Sequence, residues 1–248
     1  MRILAGLICA IMLQAIDTLP KGVEIDEVNA NVLSFRADHL KVGQSGIVLT
    51  QNQGYNIIIA SAVIKSIKNG TAYASYTPFD SISQKYLPTP QSSPAQGDKI
   101  IFGSFYNKSI AIAPDQESYN KILSLAPNTS FAHIDLLAAF LAKDGINDPK
   151  PKHLNEFCNV YSIGLLYILA SNGVNVLDCQ SFSILEVLPF DKPYIQNTQA
   201  PFFSRIVNID TGSLANKLRS KKSRQYFPYY DNLLRASLKS FENLKHKE

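Results

Sequence analysis

The chain has no tryptophan, only three cysteines and four histidines, and only 18% charged residues. Each shortage removes a class of function. Without tryptophan there is little sign of a sugar-stacking platform. With so few cysteines and histidines there are no paired zinc cysteines, and no phosphate loop or dinucleotide fingerprint occurs either. No run after residue 15 is long and apolar enough to span a bilayer, which needs roughly 20 residues. Positive charge is also scarce outside one region. The segment from Lys217 to Glu248 holds nine Lys/Arg against three Asp/Glu, so the +4 of the whole chain is local to its tail and the remainder is slightly negative. Basic residues are not interleaved with aromatics across a domain, which argues against a nucleic-acid partner.

At the amino terminus, Arg2 precedes an uncharged apolar run from Ile3 to Leu13, and Leu13-Gln14-Ala15 offers a small residue for cleavage. Residues 1–15 therefore read as an export signal cut after Ala15, the run being too short for an anchor. Cys9 lies inside that run behind bulky Ile8, which is not the setting of a lipidation cysteine. Cys158 and Cys179 remain. In an oxidising compartment they could close a loop as a disulfide; buried free thiols packing as small hydrophobes are the alternative.

From Val23 to Ala113 short β-branched and aromatic runs alternate with turn residues. The expected strands are 23–25, 31–35, 46–49, 56–64 and 71–76, with Gly43 and Gly46 as turn glycines and Asn69-Gly70 as a hairpin signal. A last hairpin is expected from Ile100–Phe105 and Ile110–Ala113 around Tyr106-Asn107-Lys108. Regular strand spacing predicts a small barrel-like β-domain over 23–113. The proline-containing stretch 81–96 reads as a loop.

Beyond Pro114 the pattern changes. Helices are expected at 115–125, 134–143 and 154–161, then strands at 164–169, 174–177 and 183–188, with a tight turn at Ser171-Asn172-Gly173. Residues 114–212 thus predict an α+β domain with a short antiparallel sheet. Residues 213–248 predict a basic linker and a C-terminal amphipathic helix whose Tyr230, Leu234, Leu238, Phe241 and Leu244 share one face. The aromatic segments Pro201-Phe202-Phe203 and Tyr226-Phe227-Pro228-Tyr229-Tyr230 are expected to pack between the domains.

Two local patterns invite a catalytic interpretation. Gly43-Gln44-Ser45-Gly46 lacks the glycine spacing of a nucleophile elbow and leads into a strand. His133-Ile134-Asp135 at a helix start has no third ligand or nucleophile beside it, so capping and helix-dipole stabilisation account for it. The expectation is a non-enzymatic protein with no catalytic residues, no metal and no cofactor.

Taken in order, Leu40 to Val48, Gly97-Asp98 through Asn107, Ala113-Pro114-Asp115, His133 to Leu136, Gly164 to Ile168 and Pro201-Phe202-Phe203 resemble the N-terminal domain family of the bacterial plasminogen-binding protein PgbA. The resemblance implies a Gram-negative periplasmic, envelope or surface protein that captures host plasminogen. Kringle modules of plasminogen recognise a lysine ammonium set beside a carboxylate, most simply a C-terminal lysine. Here the sequence reads Lys245-His246-Lys247-Glu248, so Lys245, Lys247 and Glu248 are the binding candidates. The alternative function is a periplasmic structural or assembly module that binds another envelope protein.

Overall fold

The computed structural model describes residues 17–79, 92–191, 198–206 and 225–245, with side chains of the last helix as far as Arg235. The expected leader at 1–15, most of the expected loop at 81–96 and the basic linker to Arg224 lie outside the described residues.

Seven strands form the first sheet: β1 (Lys21–Glu24), β2 (Glu27–Asn29), β3 (Val32–Arg36), β4 (Ser45–Asn52), β5 (Tyr55–Lys68), β6 (Thr71–Pro78) and β7 (Lys99–Phe102). Their order is β1-β7-β4-β5-β6-β3-β2, and every pairing is antiparallel. The two edge strands follow one another in the chain, separated by Ile25-Asp26 alone. The sheet must therefore curl until its edges meet, giving a barrel-like half-barrel. At the seam Ile25 N donates to Asp98 O and Asp26 N donates to Ser34 O, each at 2.9 Å. Inside, small Ala60, Ala62, Ala72 and Ala74 from β5 and β6 face large Leu33, Phe35, Ile100 and Phe102. Alternating small and large side chains fill such a narrow interior without voids.

The second sheet holds β8 (Lys108–Ile112), β9 (Ser130–Ala132), β10 (Leu165–Ala170), β11 (Gly173–Asp178) and β12 (Ile184–Leu188), in the order β12-β11-β10-β8-β9. Four helices accompany it: α1 (Gln116–Leu125), α2 (Ile134–Lys143), α3 (Pro151–Tyr161) and α4 (Tyr226–Lys245). Local chemistry sets their starts. Asp115 caps α1 by accepting from Ser118 N at 2.9 Å, and Pro151 opens α3 where a missing N–H costs nothing. Every residue of β10 and β11 is buried. Strands buried along their whole length in this way belong to a sheet covered on both faces.

The α+β class and the barrel-like first part agree with the sequence reading, but several details differ. Ile100–Phe105 and Ile110–Ala113 do not form a hairpin. β7 pairs with β1 and β4, whereas β8 runs parallel to β10 and β9 in the other sheet. The second sheet is therefore mixed rather than antiparallel. Adjacent apolar runs with a turn between them look alike whether they pair or part, and here helices between β8 and β10 supply a parallel crossover.

Gly46 is not a turn glycine. It sits inside β4, where a Cβ would come within 2.9 Å of Ile101 O. At the β10–β11 turn it is Gly173, at φ +128°, that needs glycine, because the backbone of Leu188 passes beside it. The aromatic segments pack within the second core, not between the sheets: Phe202, Phe203, Tyr226 and Tyr230 all belong to it. Tyr226 OH donates to Ile112 O at 2.8 Å, which fixes α4 against β8.

Candidate functional site

The turn before β4 and the turn after β11 meet where the two sheets touch. Gly43 takes φ +91°, a conformation glycine adopts freely, and its N–H donates to Ile64 O at 2.9 Å. That geometry aims Ser45 out of the first sheet. On the other side β11 ends in Asp178, whose side chain is fully buried.

Five donors converge on that carboxylate. Ser45 N and Ser45 Oγ reach Oδ2 at 2.8 and 2.7 Å, and Tyr106 OH reaches the same oxygen at 2.6 Å. Gln180 N and Ser181 N donate to Oδ1 at 2.9 and 2.8 Å. A buried carboxyl group is tolerated when its acceptor sites are filled in this way. Ser181 Oγ returns the link by donating to Gly43 O at 2.6 Å. Tyr106 comes from the turn that carries the chain between the sheets. Burial, and then the neighbouring Asp178 charge, push its hydroxyl far above the usual tyrosine range, so it remains a donor.

The same turn is tied from a third direction. Cys158 on α3 and Cys179 after β11 are joined as a disulfide, with Cα atoms 6.2 Å apart. Asn155, one helical turn before Cys158, donates to Cys179 O at 3.0 Å. Between these elements lies a pocket of about 90 Å³, lined by Ile47, Val63, Phe79, Phe105, Ile163 and neighbouring serines. Metabolite sites usually run from roughly 300 Å³ upward, so this space suits one small side chain.

Chemically the junction is a knot. The Ser45 hydroxyl gives its hydrogen to Asp178, and no imidazole stands between them in a triad arrangement. His133 and Asp135 lie elsewhere. His133 Nδ1 accepts from Asp135 N at 3.1 Å and so caps α2. Asp135 accepts from Ser204 Oγ at 2.9 Å and Arg205 Nε at 2.8 Å. Burial alone would raise Asp135, but those bonds and the nearby His133 hold it below the usual carboxylate range. Among the described residues no group of three or more His, Cys, Asp or Glu could hold a metal ion.

The expected binding residues fare differently. Lys245 ends α4 but its side chain lies outside the described residues, as do Lys247 and Glu248. Asp178 was missed in the sequence. Its one signal there is an acidic residue closing an apolar strand beside a cysteine, which says nothing of the serine and tyrosine that reach it from 133 and 72 residues away.

No described helix is long and apolar enough to cross a membrane. A family model described as plasminogen-binding protein pgbA N-terminal matches residues 21–234. Two curated relatives from Helicobacter pylori, both called plasminogen-binding protein PgbA, are similar over 240 residues. The protein of strain J99 is 38% identical, covering 95% of this chain and 53% of its own. That of strain 26695 is 37% identical, covering 95% of this chain and 52% of its own. The chain thus spans about half the length of these relatives. No solved structure matches it.

Proposed function

Because this chain belongs to the plasminogen-binding protein PgbA N-terminal family, we propose that it is an exported, non-enzymatic protein that binds host plasminogen through lysines of its C-terminal tail. The observation that carries this reading is the match over residues 21–234 together with 37–38% identity to relatives named for that binding. Three features support it. The leader-like residues 1–15 suit export. Joined Cys158 and Cys179 suit an oxidising compartment. The sequence runs Lys245-His246-Lys247-Glu248, lysines close in sequence to a side-chain carboxylate, the kind of charge pair a kringle recognises. In this view the two sheets and their buried knot are a scaffold, and the contact lies at the end of α4.

The test is binding to immobilised plasminogen, with and without a soluble lysine analogue, and with residues 245–248 deleted. Loss of binding under both treatments is expected. Binding indifferent to both would sink the lysine mechanism. Protease treatment of intact cells addresses location, since a surface protein is cleaved and a periplasmic one is protected.

A further inference from the structure

Helix α3 is fixed along one side and open along the other. Leu154, Phe157 and Cys158 are buried, and the disulfide to Cys179, with the bond from Asn155 to Cys179 O, holds that side in place. On the opposite side Lys152, Glu156 and Val160 recur at four-residue intervals and so share one stripe. All three are exposed, Val160 by 62%.

The charges on this stripe do not serve the helix itself. A lysine four residues before a glutamate is the weaker of the two possible orders. Lys152 and His153 also follow Lys150 at the start of the helix, where the dipole disfavours cations, and the first turn has no acidic residue to balance them. Burial first, and then Lys152 and Lys150, hold His153 below its ordinary value against the pull of Glu156 and Asp144. Among the described residues neither Lys152 nor Glu156 forms a salt bridge. Lysines elsewhere are tied: Lys108 Nζ donates to Tyr161 O at 2.8 Å, and Lys121 Nζ to Asp191 O at 2.7 Å. Exposed Glu24 and Lys99 are direct cross-strand neighbours in β1 and β7, a favourable placing. On α3, by contrast, an ammonium and a carboxylate stand one turn apart, with Cβ atoms roughly 5–6 Å from each other, and are held ready from behind.

The position of α4 relates this pair to the tail. Tyr229 OH donates to Pro149 O at 2.8 Å, so α4 starts beside the loop that leads into α3. From Tyr229 to Lys245 the helix rises about 24 Å, close to the diameter of a small domain. We infer that Lys152 and Glu156 form a second lysine-type contact for plasminogen, which engages one kringle while the tail engages another. Charge complementarity selects that occupant. A site that recognises an ammonium beside a carboxylate carries the opposite charges at the same spacing, and α3 presents both signs where a site for an anion would present one. Two contacts on one folded chain raise affinity although neither is tight alone. The inference rests on the plasminogen reading and adds to it, with the tail as the principal contact.

Binding of the whole chain to immobilised plasminogen and to a single isolated kringle tests it. Lys152→Gln and Glu156→Gln together should weaken plasminogen binding by about tenfold or more. The thermal midpoint should be unchanged, since both side chains are exposed. Toward the single kringle, which the tail alone can fill, the same double substitution should leave affinity as it was. Lys68→Ala, which removes an exposed lysine at the end of β5, should change neither. A double variant that binds plasminogen as tightly as the unaltered chain would overturn the second contact and leave the tail reading standing. Equal weakening toward the single kringle would overturn it too, because the two contacts would then not serve separate modules. An unaltered chain whose binding ignores a soluble lysine analogue would remove the lysine mechanism and this inference together.

Discussion

In the first sheet β3 buries alternate residues and leaves their neighbours half-exposed, whereas β10 and β11 in the second bury every residue. The difference follows from what covers them. A curled sheet has one inner face, so half of each strand looks outward; a sheet with helices on both sides has two. The first sheet is held by hairpins and a narrow interior of alanines and large apolar residues. The second adds a disulfide, helix caps and buried tyrosines. One would expect the second to be the sturdier, with the first depending on the shared knot at Asp178.

That dependence can be broken most sharply at the knot itself. Asp178→Ala leaves the Ser45 hydroxyl, the Tyr106 hydroxyl and two backbone amides without their acceptor, and should lower stability by about 4 kcal/mol. Denaturant unfolding checks it. Removing the bridge instead, with Cys158→Ala and Cys179→Ala, opens a loop whose ends are 21 residues apart and should cost about 3 kcal/mol. Protection of α3 and β11 from hydrogen exchange should fall more than that of β5.

Alkaline pH sharpens the comparison further. Tyr106, Tyr226 and Tyr230 are all raised above 10.0, by burial first and by neighbouring charge second. All three belong to the second core. A group raised in the folded state contributes stability that is full below the unfolded value and is lost as pH climbs above it. Stability should therefore be flat to about pH 9 and then fall, by about 1 kcal/mol per buried tyrosine over the first unit above 10. Replacing Tyr230→Phe should reduce that slope. The smallest effect is expected in the first core, where Ile64→Val removes one buried methylene and should cost about 1 kcal/mol.

The sequence made some of this legible and hid the rest for physical reasons. Helix α2 was readable to the residue because His133, Asp135 and the apolar residues Leu136, Leu137, Phe140 and Leu141 are local signals, although the face that is buried runs through Ile134, Leu137 and Leu141 and leaves Leu136 and Phe140 half-buried. The β5–β6 turn at Asn69-Gly70 was local too, with both residues at positive φ. The parting of β7 from β8 was not, since it depends on parallel partners in β10, Leu165 to Ile168 opposite Ser109 to Ile112, rather than on the turn between them. β2 and β9, three residues each, were too short to show a period. The knot at Asp178 was invisible because its donors come from distant segments. The tail residues proposed to bind plasminogen were named from family chemistry, and no fold signal points to them.

The account rests most on the two sheets being bound into one cooperative unit by Asp178. Hydrogen exchange across a denaturant series, read at Ala60 to Ile64 for the first core and at Leu165 to Leu169 for the second, tests this directly. The two segments should lose protection together in the unaltered chain and separately, the first core earlier, in Asp178→Ala. Separate transitions in the unaltered chain, or coincident and undiminished ones in Asp178→Ala, would contradict it.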